Sequence, residues 1–214
     1  MKRLIFSDTH FTTRFDFKRF DLIASEIRKS DQVIIVGDLW DGYLITFEDF
    51  INSKWNKLFP LLKKKKTIYL TGNHDHRSYL DNRVKLFCDR CVDSYHFRVA
   101  QTDYYCEHSH ELIKHIDGFL PFVRNKYFAI FSDRYFQGGT YLLKENFWKL
   151  GKSQNNRLLT YQANNLPNQI FISGHTHVQQ YMAGKYLNPG IINYGLAQYI
   201  WLNDNHVKLV SRHY

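Results

Sequence analysis

Side chains that bind metals recur in this sequence directly after short apolar runs. They form five groups with the sequences SDTH, GDLWD, GNHD, EHSH and GHTH. The candidate residues are Asp8 and His10; Asp38 and Asp41; Asn73, His74 and Asp75; His108 and His110; and His175 and His177. Carboxylate, amide and imidazole donors together suit borderline divalent ions such as Mn, Fe, Zn or Ni better than calcium or an iron–sulfur cluster. The sequence therefore predicts a transition-metal site.

The spacing within these groups is suited to chelation. Asp8 and His10 are two residues apart, as are His175 and His177, and on extended backbone this spacing places both side chains on one side. Glycine, which allows a tight turn or close backbone approach, precedes three of the groups, at Gly37, Gly72 and Gly174. So many donors exceed the needs of one ion. We therefore expect two metals about 3.5–4 Å apart that share one carboxylate.

The apolar runs before the first three groups predict parallel β-α-β units. The segments KRLIFSD, QVIIVGD and KTIYLTG have the character of buried strands. Between them, DFKRFDLIASEIRKS and TFEDFINSKWNKLFPLLKK have helical spacing, with a break or bend expected near Pro60. Ligands of such sheets gather at the carboxyl ends of the strands, which is where the polar groups stand.

The later part of the chain predicts further strands and a helical insertion. SYHFRVAQTDYYCEHSH indicates a hairpin with a turn near Gln101 to Asp103, and NQIFISGHTH indicates one more strand. The tail alternates short runs with the turn signals AGK, NPG and NDN, which are typical of antiparallel strands. Between them, residues 111–163 are mostly helical, aromatic and basic in pattern. We interpret residues 1–214 as one domain that carries this insertion.

Composition limits the classes of function. A chain of 214 residues with 17% aromatic residues can bury a proper core. It has no apolar run of the roughly 20 residues that a membrane span needs, and its N-terminus does not resemble a signal peptide, so a cytoplasmic location is expected. Three cysteines, an odd number, fit reduced thiols. The formal net charge of +9 favours anionic partners, whether nucleic acid, phosphorylated metabolites or an acidic lipid surface.

The order of the motifs resembles that of the calcineurin-like metallophosphoesterase family, from Asp8 to His177. The resemblance implies an α/β fold, a four-layer αββα sandwich of two mixed β-sheets with a binuclear site at the strand ends. It assigns one metal to Asp8, His10 and His177 and the other to Asn73, His108 and His175, with Asp38 as the bridge. Mn²⁺ is the leading candidate for both ions, with Fe, Zn or Ni as alternatives. Ser109 replaces the glycine usual in the fourth motif, so His110 is a second candidate for the role given to His108.

The resemblance also implies the catalytic roles in GNHD. Asn73 would bind a metal through its amide oxygen, and His74 would protonate the leaving oxygen or stabilise charge on the phosphoryl group. Asp75 would orient His74. A metal-activated hydroxide would be the nucleophile. Arg77 lies outside the motif and is predicted either to contact a substrate phosphate or to form a surface salt bridge.

The substrate is the least determined part of this prediction. The expected reaction is hydrolysis of a phosphodiester, pyrophosphate or phosphomonoester. Aromatic and basic residues of the insertion could hold an apolar tail beside a phosphate, in a manner similar to the UDP-diacylglucosamine pyrophosphohydrolases, or could pack the insertion's own core; they are Phe119, Phe122, Tyr127, Phe128, Phe131, Tyr135, Phe136, Lys114, Arg124, Lys126 and Arg134. A nuclease or cyclic-nucleotide phosphodiesterase is the enzymatic alternative. A non-catalytic scaffold with this fold is the alternative of another class.

Overall fold

Two β-sheets form the centre of the protein, which is described here by a computed structural model. The structure describes residues 1–113, 126–143, 145–148, 152–204 and 206–214. In these ranges one sheet has seven strands and the other has five. Helices cover the outer faces, so the predicted sandwich of two mixed sheets is confirmed. Of residues 114–125, the predicted substrate-contacting side chains Lys114, Phe119, Phe122 and Arg124 lie outside the described part.

The first sheet contains the predicted parallel strands. They are β1 (Arg3–Phe6), β2 (Gln32–Val36), β3 (Ile68–Leu70) and β4 (Arg90–Val92), in that order across the sheet. The antiparallel tail strands β10 (Ile192–Asn193), β11 (Leu196–Asn203) and β12 (His206–His213) complete it, with β11 beside β1. The carboxyl ends of β1, β2 and β3 therefore lie at one edge.

The second sheet brings two further groups to the same region. Its strands are β5 (Ser94–Val99), β6 (Thr102–Glu107), β7 (Gln169–Ser173), β8 (Gln180–Met182) and β9 (Tyr186–Asn188). The hairpin of β5 and β6 is the predicted one, and β6, β7 and β9 run parallel to each other. EHSH follows β6 and GHTH follows β7, so both histidine pairs also stand at carboxyl ends.

Alternating burial explains why the sheets stack. In β1, Leu4 and Phe6 face the helices whereas Ile5 faces the second sheet, and β2 repeats this pattern. The core between the sheets joins such residues with Cys106 of β6 and Ile172 of β7. A one-residue shift in register would exchange these faces, so the hydrophobic pattern determines where each strand end points.

Short helices cover the first sheet. They are α1 (Phe17–Lys29), α2 (Phe47–Asn52) and α3 (Phe59–Lys64), with a 3-10 turn at Lys54–Leu58. Asp16 caps α1, and a reciprocal capping box of Thr46 and Asp49 begins α2. Pro60 lies in the first turn of α3, so it begins a helix and does not bend one.

After a turn at residues 111–113, the described part of the insertion is helical. It contains α4 (Lys126–Leu143), α5 (Glu145–Trp148) and α6 (Lys152–Asn165), and α6 extends two residues beyond the predicted boundary at 163. Leu158 of α6 packs with Ile113, Phe171 and Tyr186 on the outer face of the second sheet. Among the described helices, none has both the length and the apolar character that crossing a bilayer requires.

Candidate metal centre

The loops after the strands hold one another in place. The amide of Asp8 donates to the carbonyl of Gly37 at 3.1 Å, and that of His10 donates to the carbonyl of Asp38 at 3.0 Å. Side chains are packed so closely here that a Cβ at Gly37 would lie 2.2 Å from Nδ1 of His108. Five of the predicted ligands have left-handed backbone with φ from 44° to 69°: Asp8, His10, Asp38, His175 and His177. Such strain in non-glycine residues clusters at functional sites.

One group of donors combines residues from the first motif, SDTH, with a residue from the last, GHTH. Nε2 of His177 lies 3.2 Å from Oδ1 of Asp8 and 3.2 Å from Nε2 of His10. His10 Nε2 is also 4.0 Å from Oδ1 of Asp8. The structure thus brings together the three residues predicted to share one ion.

A second group lies on the other side of Asp38. Nε2 of His108 is 3.2 Å from Oδ1 of Asn73 and 3.1 Å from Oδ2 of Asp38, and His175 belongs to the same group. The same Asp38 oxygen is 3.8 Å from Nε2 of His10. One carboxylate oxygen is therefore within reach of both groups, in the position that a bridging ligand requires.

Hydrogen bonds to backbone carbonyls determine which ring nitrogen of His108 and of His175 faces the donor group. Nδ1 of His108 lies 2.7 Å from the carbonyl of Val36, and Nε2 of His175 lies 3.0 Å from the carbonyl of Ile113. A carbonyl can only accept, so each of these nitrogens carries the proton. His108 then offers Nε2, and His175 offers Nδ1, as lone-pair donors, an arrangement usual for metal-binding histidines.

Charges in the buried site favour cations. Burial alone would raise the pKa of Asp38, but the imidazoles of His108 and His74 lower it well below its ordinary value. At Asp8, burial is likewise outweighed by His177 and His108, and its pKa is lowered. Burial and the neighbouring His74 lower the pKa of His10 to about 3. Burial alone would lower the pKa of His108, but the charges of Asp38 and Asp8 raise it to about 10. Near neutral pH the two carboxylates thus attract a proton onto Nε2 of His108, and a metal bound there would replace that proton, whereas His10 is neutral.

These donors fit a pair of divalent ions. Atoms bound about 2.0–2.2 Å from one ion lie about 3.0–3.5 Å from each other in tetrahedral or octahedral geometry. The separations of 3.1–3.2 Å around His177 and His108 fall in that range. The mixed oxygen and nitrogen donors also match the preferences of Mn, Fe, Zn and Ni.

His74 stands beside both groups, but its orienting carboxylate is not the predicted one. Nδ1 of His74 lies 2.9 Å from Oδ1 of Asp41, and its ring meets that of His10 edge-on at 4.4 Å. The two carboxylate oxygens of Asp75 instead accept from the backbone amides of Gly72, Asp38 and Leu39. The prediction that Asp75 orients His74 is therefore wrong, because its side chain turns inward to tie two loops together.

The inward-facing Asp75 is fully buried beneath Asp38. Burial and the charge of Asp38 raise its pKa to about 6. The contribution of Asp75 is to hold the backbone that presents Asp38. Sequence reasoning named Asp41 without giving it this role, and it missed Tyr43, whose ring lies 4.2 Å from that of His74. The backbone amide of Tyr43 donates to Asp41, so the turn of GDLWDGY is the local signal that could have linked them.

The structure also separates the two candidate histidines of EHSH. His108 is buried within the second donor group, whereas the ring of His110 lies 5.7 Å from that of His108, and its Nε2 is 3.6 Å from Glu111. Ser109 adopts φ 77°, the left-handed conformation that suits the glycine it replaces. His108 is therefore the better placed of the two.

Arg77 lies at the surface. Its Nη1 is 3.4 Å from Asp93, and its side chain is 57% exposed. This is the surface ion pair that was one of its two predicted roles. Its contact with a substrate phosphate stays a prediction.

Comparisons with known proteins concern the family of the sequence and the fold. The sequence model of the calcineurin-like phosphoesterase family matches residues 1–179. The phosphoesterase YfcE from E. coli has a similar structure with 16% identity and a TM-score of 0.53, over 98% of this chain and 92% of that chain. A single-site variant of Vps29 from Entamoeba histolytica and its wild type complexed with Zn²⁺ each have 15% identity and cover 100% of this chain and 99% of their own, with TM-scores of 0.52 and 0.50. No curated protein matches the sequence significantly.

The chain belongs to the calcineurin-like phosphoesterase family. At these identities the similar structures show the shared fold, and the donor groups described above supply the chemical argument. Together they support a metal-dependent phosphoester hydrolase.

Proposed function

We propose that this protein is a binuclear metal-dependent phosphoesterase. One ion would be held by Asp8, His10 and His177, and the other by Asn73, His108 and His175, with Asp38 between them. The observation that carries the proposal is the position of Asp38 Oδ2, which is 3.1 Å from His108 Nε2 and 3.8 Å from His10 Nε2. Mn²⁺ is the first metal to test, because the donors mix oxygen and imidazole nitrogen.

The protein's own residues would divide the work of hydrolysis. When bound, two divalent ions supply Lewis acidity toward phosphoryl oxygens and lower the pKa of a coordinated water to about 7. Asp38 keeps the two donor groups at a fixed separation, and its other oxygen accepts from the backbone amide of His74 at 2.9 Å. This hydrogen bond fixes the backbone of His74 relative to Asp38, so that the His74 ring would approach a bound substrate in one orientation.

His74 is proposed as the general acid for the leaving oxygen. Its Nδ1 lies 2.9 Å from Asp41, and the proton for the substrate would come from Nε2. Protonation of an alkoxide in this way typically contributes about 10²–10⁴-fold to the rate. Asp41 favours the tautomer and the charge that this role needs, and Tyr43 limits the movement of the ring from one side.

For the substrate, we propose a phosphodiester or pyrophosphate linkage that carries an apolar group. Phe131 and Tyr135 of α4 are 68% and 59% exposed, and Arg134 between them is also exposed. Aromatic side chains beside a cation are suited to a lipid-linked phosphate such as that of UDP-diacylglucosamine. The same residues could stack on bases, so nucleic acid and cyclic nucleotides are the competing substrates to test.

Metal reconstitution tests the core of the proposal. The purified chain should bind about two divalent ions and lose hydrolysis of bis(p-nitrophenyl) phosphate after dialysis against EDTA, with recovery on addition of Mn²⁺. Asp38→Asn should lose both metal and activity. The matched control is Asp103→Asn, which removes an exposed carboxylate paired with Arg98 and should leave both unchanged. Full activity of the wild type in excess EDTA would refute the proposal.

A substrate panel tests the linkage. Rates on bis(p-nitrophenyl) phosphate, the corresponding monoester, a UDP-sugar lipid, single-stranded nucleic acid and a cyclic nucleotide should rank the diester and the UDP-sugar lipid highest. Phe131→Ala should then lower turnover of the lipid substrate without changing that of the chromogenic diester. A preference for nucleic acid would assign the exposed aromatics to base stacking instead.

A further inference from the structure

Two of the proposed ligands stand on a loop whose backbone needs outside support. His175 and His177 have φ of 69° and 59°, and Thr176 lies between them. Left-handed conformations are unfavourable for residues with a Cβ, and they persist only where surrounding structure determines them. Some other part of the protein must therefore hold residues 174–178 in this shape.

Asn155 of α6 provides that support through four hydrogen bonds. Its Nδ2 donates to the carbonyl of Val178 at 3.1 Å and to Oε1 of Gln180 at 2.8 Å. Its Oδ1 accepts from Oγ1 of Thr176 at 2.7 Å and from the hydroxyl of Tyr186 at 3.1 Å. Asn155 is fully buried, and an amide has two donor hydrogens and two acceptor lone pairs. Every hydrogen-bonding position of this side chain is therefore used.

Thr176 connects Asn155 to the loop backbone. Its Oγ1 donates to Asn155 and accepts from Nδ2 of Asn188 at 3.0 Å, and Asn188 also lies 3.2 Å from the carbonyl of Gly174. Thr176 and Asn188 are buried as well. Buried polar networks whose members are all satisfied restrict a segment to one conformation. This network lies directly behind the two histidines.

The insertion also contacts the loop at two other points. The carbonyl of Ile113, at the start of the insertion, lies 3.0 Å from Nε2 of His175. Phe147 of α5 packs with Val178, the residue after His177. Contacts from the start, the middle and the end of the insertion thus meet residues 174–178.

We propose that Asn155 is a positioning residue for the metal centre, through which the insertion and the ligands His175 and His177 are coupled. This inference rests on the proposed metal-binding function. Such coupling is reciprocal. The free energy by which folded α6 strengthens metal binding equals the free energy by which bound metal stabilises α6. The role of the insertion would then include completing the metal site, in addition to any contact with substrate.

Metal affinity is the first test, and it needs no turnover. Asn155→Leu and Thr176→Val keep side-chain size while removing the link. Each should weaken Mn²⁺ binding by about 10–100-fold, the usual effect of losing a residue that orients a ligand, and both ions should be affected because His175 and His177 belong to different donor groups. Thr176→Ser retains the hydroxyl and should restore wild-type affinity. Calorimetric titration of metal-free protein gives the affinities, and circular dichroism checks that each variant is folded.

Gln162→Leu is the matched control. Gln162 lies on the same helix, is also buried, and donates to the carbonyls of Leu166 and Gln169, away from the ligand loop. It should lower thermal stability but leave metal affinity within about 2-fold of the wild type, because the ligands keep their orienting partners. Equal losses of affinity in Gln162→Leu and Asn155→Leu would overturn the inference. If Asn155→Leu does not fold, Thr176→Val compared with Thr176→Ser decides the question.

Hydrogen exchange gives the reciprocal test. Saturating Mn²⁺ should slow amide exchange in residues 152–165 of the wild type by the same factor that Asn155→Leu costs in metal affinity, and it should not do so in Thr176→Val. Residues 17–29 of α1 serve as the reference for general stabilisation. Equal slowing in both helices would refute a specific coupling. A wild type that binds no metal would instead refute the proposed function, so the two failures are distinguishable.

Discussion

Replacing Asp41 with asparagine should slow hydrolysis without removing metal. In the structure, Oδ1 of Asp41 lies 2.9 Å from Nδ1 of His74, and the side chains are only 11% and 22% exposed. Asp41→Asn keeps the shape of the residue but removes the charge that favours a protonated, correctly oriented His74. Burial alone would raise the pKa of Asp41, but His74 lowers it, which indicates that the two groups stabilise each other's charges.

The size of the effect follows from this contact. A hydrogen bond to a charged group is worth about 1.5–3 kcal/mol. If that free energy is lost in the transition state, Asp41→Asn should reduce kcat by roughly 10- to 150-fold. His74→Ala removes the acid itself and should cost about 10²–10⁴-fold. Because Asp41 acts through His74, the double variant should be no slower than His74→Ala alone.

The assay compares leaving groups and metal content in the same preparations. With a phenyl ester, whose alcohol is weakly acidic, both variants should show their full losses. With a p-nitrophenyl ester the losses should shrink, because this leaving group departs without protonation. Mass spectrometry of the purified proteins should find the wild-type metal content in both. His175→Ala should differ by losing metal and activity together.

Three results would contradict this reasoning. Multiplicative losses in the double variant would mean that Asp41 and His74 act independently. An equal loss on every leaving group would exclude the acid role. Loss of one metal equivalent in Asp41→Asn would make Asp41 a ligand, for which it is close enough to His10 and His74.

Four other predictions concern the rest of the chain. Dialysis of the wild type against EDTA should lower its thermal midpoint as well as its activity, because the buried carboxylates of Asp8 and Asp38 then lose the cations that neutralise them. Unchanged melting by calorimetry would contradict this. Replacing residues 114–143 by a short linker, which spares Ile113, Phe147 and Asn155, should preserve hydrolysis of bis(p-nitrophenyl) phosphate and abolish selectivity in the substrate panel; an unchanged profile would make the removed segment structural. Trp55→Ala should cost about 3–5 kcal/mol in urea unfolding, because Trp55 is fully buried and stacked on Phe11 at 3.9 Å. Burial raises the pKa of Glu26, but Lys29, Tyr199 and Arg212 lower it below its ordinary 4.5, so Glu26→Gln should reduce the melting temperature above that pH and the difference should vanish as the pH falls through the folded-state pKa.

The sequence was most informative where local pattern and site coincide. Asp8 and His10 could be placed at a strand end because an apolar run stops there. The extended backbone expected for the i, i+2 pairs is wrong, because all four residues have positive φ, and His175 and His177 lie in different donor groups. The side chains that define each donor group come from strands that are distant in sequence. Their grouping was inferred from the order of the motifs, since no local pattern contains it.

Partners across the fold were harder to predict. The distance from Asp41 to His74 depends on how the loop after β2 packs on the loop after β3, and no spacing rule spans 33 residues. Adjacency in sequence favoured Asp75 instead, although neighbouring residues in a tight turn commonly point in different directions. The supporting role of Asn155 could not be predicted for the same reason. On a weakly amphipathic helix the sequence does not distinguish a buried asparagine from an exposed one, and the contact with Thr176 forms only in the folded protein.

The order of the donors along the chain has a consequence for biosynthesis. The carboxylate of Asp8 accepts a hydrogen bond from the amide of His175, which is 167 residues further along. At translation rates of about 5–20 residues per second, roughly 8–33 s separate the two on the ribosome. During that time the nascent chain presents Asp8 and Asp38 without His175 and His177. We therefore expect tight metal binding only after His177 has been synthesised and the two sheets have packed against each other.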